Sequence, residues 1–66
     1  MLDLCKTVLN GVHQDKDLFR KELIKSLSWL NKQDQQILQK WVRQTFYSDH
    51  PDVIDEILNT KFQYAL

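Results

Sequence analysis

Between residues 31 and 47, Ile37, Leu38, Trp41, Val42, Thr45 and Phe46 recur at steps of three and four. Only a helix of about 3.6 residues per turn places such positions on one side, so this segment reads as a helix with its core face set. Asn31 stands just before the run and Asp34 three residues later. The Asn31 side chain can accept from the first free N–H groups, while Asp34 faces the positive helix start. The outward face carries Gln36, Gln39, Lys40, Arg43 and Gln44, good helix formers without reactive chemistry. Everything else in the chain is expected to pack around this element.

The other segments have the same period. Leu2, Cys5, Val8, Leu9 and Val12 predict a first helix over residues 2–12, in which Gly11, the single glycine, is either a C-terminal cap or a weak point. Asp15 or Asp17 caps a second helix over 16–30, where Phe19, Leu23, Leu27 and Leu30 form a stripe widened by Leu18, Ile24 and Trp29. A stripe that broad suits a helix with two neighbours, one of them on another chain. The third helix covers 32–47, and a tight connection before it predicts that it packs with the second as a hairpin or at a steep turn. Pro51 disfavours helix at His50 yet suits the first turn of a fourth helix over 51–62. That helix has acidic residues at its start and Val53, Ile54, Ile57, Leu58 and Phe62 as its apolar face. Residues 60–66 either extend it or trail as a docking tail. The expectation is one domain over 1–66, an all-α compact bundle of about four short helices associating into a dimer.

Chain length supports that last step. A domain of 66 residues buries only about 60% of the surface its unfolded chain exposes, and chains this small add disulfides, a metal or oligomerisation. One cysteine excludes an internal disulfide, and His13 and His50 lack ligand-spaced companions, leaving oligomerisation. Two Trp, two Tyr and three Phe are more aromatic surface than four short helices can easily enclose. The expected core is Leu27, Leu30, Leu38, Trp41, Val42, Phe46 and Ile57. The expected interface is Phe19, Leu23, Trp29, Phe62 and Tyr64, because Trp and Tyr are common interface anchors.

Nine basic residues balance nine acidic ones, so no long-range field draws the chain to nucleic acid or an anionic membrane. No run approaches the roughly 20 apolar residues of a membrane span, and the opening residues lack the pattern of a secretory signal. With a lone reduced cysteine, the expected compartment is the cytoplasm. No nucleophile–base pair, metal cluster or phosphate-binding glycine loop is recognisable, so no enzyme activity and no cofactor are expected. Capping accounts for Asp52, Asp55 and Glu56 more simply than a cation site. Cys5 is expected to fill a gap in the core. The rival reading is a small helix-turn-helix-like DNA-binding regulator in which Lys32, Gln36, Lys40 and Arg43 of the third helix meet bases and phosphates. The acidic fourth helix opposes it.

The order of features also resembles a known family. The run Val8-Leu9-Asn10-Gly11-Val12-His13-Gln14-Asp15-Lys16-Asp17-Leu18, then Leu27-Ser28-Trp29-Leu30, then Asp34 to Trp41, is similar to the helical C-terminal region of the Rpn family. These are recombination-promoting, transposase-like nucleases of the PD-(D/E)XK class, and the resemblance covers most of residues 4–58. Their catalytic core is an α/β fold to which nothing here aligns, so no catalytic residue carries over. The resemblance implies a separate small product starting at Met1, which self-associates and binds a related full-length nuclease to inhibit it, an antitoxin-like role in phage defence. A domain that dimerises inside a larger enzyme would, when made alone, occupy the same face, and inhibition would need no chemistry.

Overall fold

Local signals place the helices. The structure, a computed structural model, describes residues 2–61, with side chains as far as Asn59. It contains α1 (Leu2–Val12), α2 (Lys16–Trp29), α3 (Lys32–Phe46), α4 (Pro51–Glu56) and a closing π-helical turn, Ile57–Lys61, with no strand among the described residues. The fold is all-α, as the periodicity predicts. Asp15 caps α2 by accepting from the Leu18 N–H at 3.1 Å. Asn31 caps α3 by accepting from the Asp34 N–H at 2.8 Å. Pro51 sits in the first turn of α4, where its missing N–H is not needed.

Of the two readings of Gly11 the cap is excluded, and the last helical segment continues to the end of the described residues with a change of winding. Gly11 is no left-handed cap: no described residue has positive φ, and Gly11 continues α1 as an ordinary helical position. The fourth helix does not run evenly from 51, because after Glu56 the winding widens to π geometry. That wider turn accompanies the burial of both Ile57 and Leu58, adjacent residues that share one wall of the core. Of residues 60–66, the first two continue the π-helical turn, and residues 62–66, Phe62 among them, lie outside the described residues.

The core is continuous. Cys5 and Leu9 of α1, Phe19, Leu23 and Leu27 of α2, Leu38, Val42 and Phe46 of α3, and Val53, Ile54, Ile57 and Leu58 of the last segment are buried together with Leu30. Each such side chain contributes roughly 1.5–3 kcal/mol relative to exposure. Phe19 is the central ring, with Phe46 edge-on at 5.2 Å and the His50 ring stacked at 5.0 Å. On α3 the fully enclosed line is Leu38, Val42 and Phe46, whereas Ile37 and Thr45, expected on the core side, are exposed. They lie at the margin of the stripe, and α1 covers only part of it.

α4 lies between α2 and α3. Lys16 pairs with Asp52 at 2.5 Å and Arg20 forks onto the Glu56 carboxylate, so the two segments run parallel in matched steps of four. On the opposite flank Arg43 reaches Asp55 at 3.3 Å and Asn59 at 2.9 Å, and the Tyr47 hydroxyl donates to Asp55 at 2.8 Å, an antiparallel match to α3. These exposed pairs add little energy each; their effect is to hold the short helix in register above its apolar contacts. The radius of gyration, 10.6 Å, agrees with the ~11 Å expected of a compact chain of this length.

Candidate functional site

Among the described residues most large apolar side chains are buried or half-buried, so those that remain outside are informative. Leu4 is 56% exposed and Trp29 58%, and both line one cleft between α1 and α2 together with Cys5, Val8, Glu22, Lys25 and Ser26. The cleft measures about 90 Å³, with the buried Cys5 and Ser26 among its lining residues. The Lys25 Nζ sits 5.0 Å above the Trp29 ring, a cation–π contact that leaves the ammonium accessible. Trp29 projects because α2 ends there: Leu30 turns extended, and the chain reverses before Asn31 starts α3.

The reversal is held by a residue whose part only the structure reveals. Gln35 donates its side-chain amide to the carbonyls of Leu27 at 2.7 Å and Leu30 at 2.9 Å. It thereby satisfies acceptors that the end of α2 leaves open. Trp29 thus stands on a fixed helix end.

Of the residues expected at an interface, Trp29 alone among the described ones is accessible. Phe19 and Leu23 are fully enclosed within the single chain, which corrects that expectation. The second neighbour inferred for the broad α2 stripe is in large part α4 of the same chain, and His50 and Phe46 close over Phe19. Phe62 and Tyr64 lie outside the described residues. The expected core residues Leu27, Leu30, Leu38, Val42, Phe46 and Ile57 are buried, while Trp41 is only half-buried, lying edge-on to Phe46 at 5.3 Å with Lys6 over its ring. Leu4 and Leu18 were not singled out for an interface; they fall outside the main stripes of their helices, and that misfit is the signal in the sequence.

The second concavity lies between two turns and is lined by His13, Gln14, Asp49 and His50. The His50 Nε2–H donates to the His13 carbonyl, the His13 ring stacks on Phe46 at 5.3 Å, and its Nδ1 lies 3.4 Å from Asp49. Both imidazoles therefore tie turns to the core. Among the described residues no group of three His, Cys, Asp or Glu side chains is placed to hold a metal ion.

For the DNA-binding rival, Lys32, Gln36, Lys40 and Arg43 are all exposed on α3. Arg43, however, is committed to Asp55 and Asn59, which brings an acidic element alongside the basic one. No described helix is long and apolar enough to cross a membrane. Comparison of the chain with protein-family models, curated proteins and solved structures finds no match.

Proposed function

We propose that this chain is a non-enzymatic protein–protein interaction domain that self-associates through the α1–α2 face and uses the same face to bind a related full-length nuclease, inhibiting it in the cytoplasm. The observation that carries the reading is the placement of Leu4 and Trp29 along one cleft, each more than half exposed and together the two most exposed large apolar side chains among the described residues. An indole held on a rigid helix end loses little conformational freedom on binding, and Trp is among the side chains most enriched where interfaces derive their energy. The nuclease as partner rests on the resemblance of residues 8–41 to the helical region of Rpn proteins. A homologous helical region in the larger protein would present a comparable face, so mixed assembly would displace the enzyme's own contacts.

The experiment is a titration of the purified chain into an Rpn-family nuclease, reading complex formation by calorimetry and DNA cleavage in parallel. Binding with loss of cleavage, both abolished in Trp29→Ala, is the expected result. A wild-type chain that neither self-associates nor binds the nuclease at concentrations up to about 1 mM would overturn the reading.

A further inference from the structure

The outward face of α2 carries a pattern that specifies its own counterpart. Leu18, Glu22, Lys25 and Trp29 follow one another at steps of four, three and four. At about 100° per residue they fall within roughly 60° of arc, forming a narrow stripe about 16 Å long. All four lie outside the core: Leu18 is 43% and Trp29 58% exposed, Lys25 is exposed, and Glu22 is half-buried with no ion pair among the described residues. The stripe is symmetric about the midpoint between Leu23 and Ile24, with apolar residues outside and opposite charges inside.

We infer that the occupant of this face is a second copy of the same chain, laid antiparallel so that α2 packs on α2 about a two-fold axis near Leu23 and Ile24. The inference rests on the self-association reading above and specifies its geometry. In this arrangement Leu18 of each copy meets Trp29 of the other, and Glu22 of each meets Lys25 of the other. A parallel pairing in register would set Glu22 against Glu22 and Lys25 against Lys25, which is repulsive at both positions. A uniformly acidic or basic partner helix would match one of the two charges and oppose the other. Self-complementarity is what a two-fold interface requires, because each surface must satisfy itself.

The surroundings of the stripe fit the same occupant. Leu4 and Trp29 border the cleft at the end of the stripe where Leu18 of the second copy would enter, so that side chain gains apolar contact from both helices. Lys25 places its Nζ 5.0 Å over its own Trp29 ring while the side chain remains exposed, so a carboxylate arriving from outside can reach the ammonium without breaking that contact. The contact is short, below the roughly 1,200 Å² of standard interfaces, so the dimer should be weak, with Kd in the range of about 10–500 μM.

Charge-swap variants studied by sedimentation equilibrium test the register. Glu22→Lys and Lys25→Glu should each raise the dimer Kd at least about ten-fold, since each replaces two attractive contacts by two repulsive ones. The double variant should return to within about three-fold of wild type. An equimolar mixture of the two single variants should form a heterodimer at concentrations where neither forms a homodimer, because both cross-pairs are then attractive. Thermal midpoints of the dilute variants provide the folding control and should match wild type. A wild-type dimer indifferent to these charges, with no preference in the mixture, would overturn the antiparallel register while leaving self-association intact. A wild-type chain that stays monomeric to about 1 mM would remove the second copy altogether, and nuclease binding would then be judged by its own titration.

Discussion

The ring of His50 donates its Nε2–H to the backbone carbonyl of His13, 37 positions away. One hydrogen bond thereby joins the turn that leads into α2 to the residue that starts α4. His50 offers no side-chain cap to its own helix and spends its imidazole on the other turn while stacking on Phe19. Because the acceptor is main chain, the two histidines are not equivalent. His50→Ala removes the donor and the Phe19 stack together, leaving a partly buried carbonyl without its partner, and should cost about 2 kcal/mol. His13→Ala keeps the acceptor and loses only the stack on Phe46 and the Asp49 contact, so its cost should be near 1 kcal/mol. Denaturant melts of both variants would test this, and equal losses would mean the cross-turn bond contributes nothing.

Gln35 offers a sharper test of helix-end satisfaction. Its amide donates to two carbonyls at the end of α2, a task that requires N–H groups rather than a side chain of a given size. Gln35→Ala should destabilise by about 1–2 kcal/mol. Gln35→Glu is nearly isosteric but places a carboxylate against carbonyl oxygens, so it should be the worse of the two at neutral pH and recover partly on acidification. A glutamate variant as stable as wild type would show that α2 ends well enough without this residue.

The contrast between these two residues and the helices themselves shows what could be read from residue order. Asp15, Asn31 and Pro51 act within three or four positions of themselves, so their roles as helix starts were legible. The core members Leu27, Leu38, Val42, Phe46 and Ile57 followed from period alone. His50 and Gln35 act across a chain reversal, where the direction of the side chain depends on how two helices cross, and no local pattern encodes that angle. Phe19 and Leu23 show the limit most clearly: the width of the α2 stripe indicated a second neighbour but could not say that α4 of the same chain would supply it. At the candidate site, Trp29 was legible as a residue beyond the main stripe, whereas its adjacency to Leu4 required the packing of α1 on α2.

Gly11 carries no positive φ, and a Cβ built there meets nothing within 4 Å. The position therefore bears the entropic cost of glycine in a helix without any steric need for it. Gly11→Ala should stabilise the chain by about 0.5–1 kcal/mol. An upward shift of the thermal midpoint would agree; a downward one would mean that α1 needs its flexible point near Val12.

Two surface groups set how stability should change at the extremes of pH. The Asp52 carboxyl is held below its ordinary value of 3.8, chiefly by the hydrogen bond from Lys16. A depressed folded-state value means that the contribution is present above the unfolded value and disappears as pH falls through the folded one. The Tyr47 hydroxyl is raised above 10.0, chiefly because it donates to Asp55, with desolvation and the Asp55 charge adding to the effect. Its contribution is present below 10.0 and is lost as pH rises through the raised value. Asp52→Asn should flatten the acid limb of a midpoint-against-pH curve, and Tyr47→Phe the alkaline limb. Wild type and Tyr47→Phe losing stability in parallel above pH 10.0 would exclude the Tyr47–Asp55 bond as a cause.

The two tryptophans should separate stability from association. Trp41 packs edge-on against Phe46 under Lys6 and is half-buried. Trp41→Ala should therefore cost about 2–3 kcal/mol, less than the 3–5 typical of a fully enclosed ring. Trp29 is 58% exposed and meets its own chain at the cleft and the Lys25 ammonium, so Trp29→Ala should change stability by no more than about 0.5 kcal/mol. The association constant should show the reverse order, falling steeply for Trp29→Ala and little for Trp41→Ala when both are measured at temperatures well below their midpoints. Chemical denaturation at dilute concentration and sedimentation at high concentration, run on the same two proteins, give the comparison. If Trp29→Ala unfolded the chain as readily as Trp41→Ala, the indole would belong to the core, and the α1–α2 face would lose its anchor.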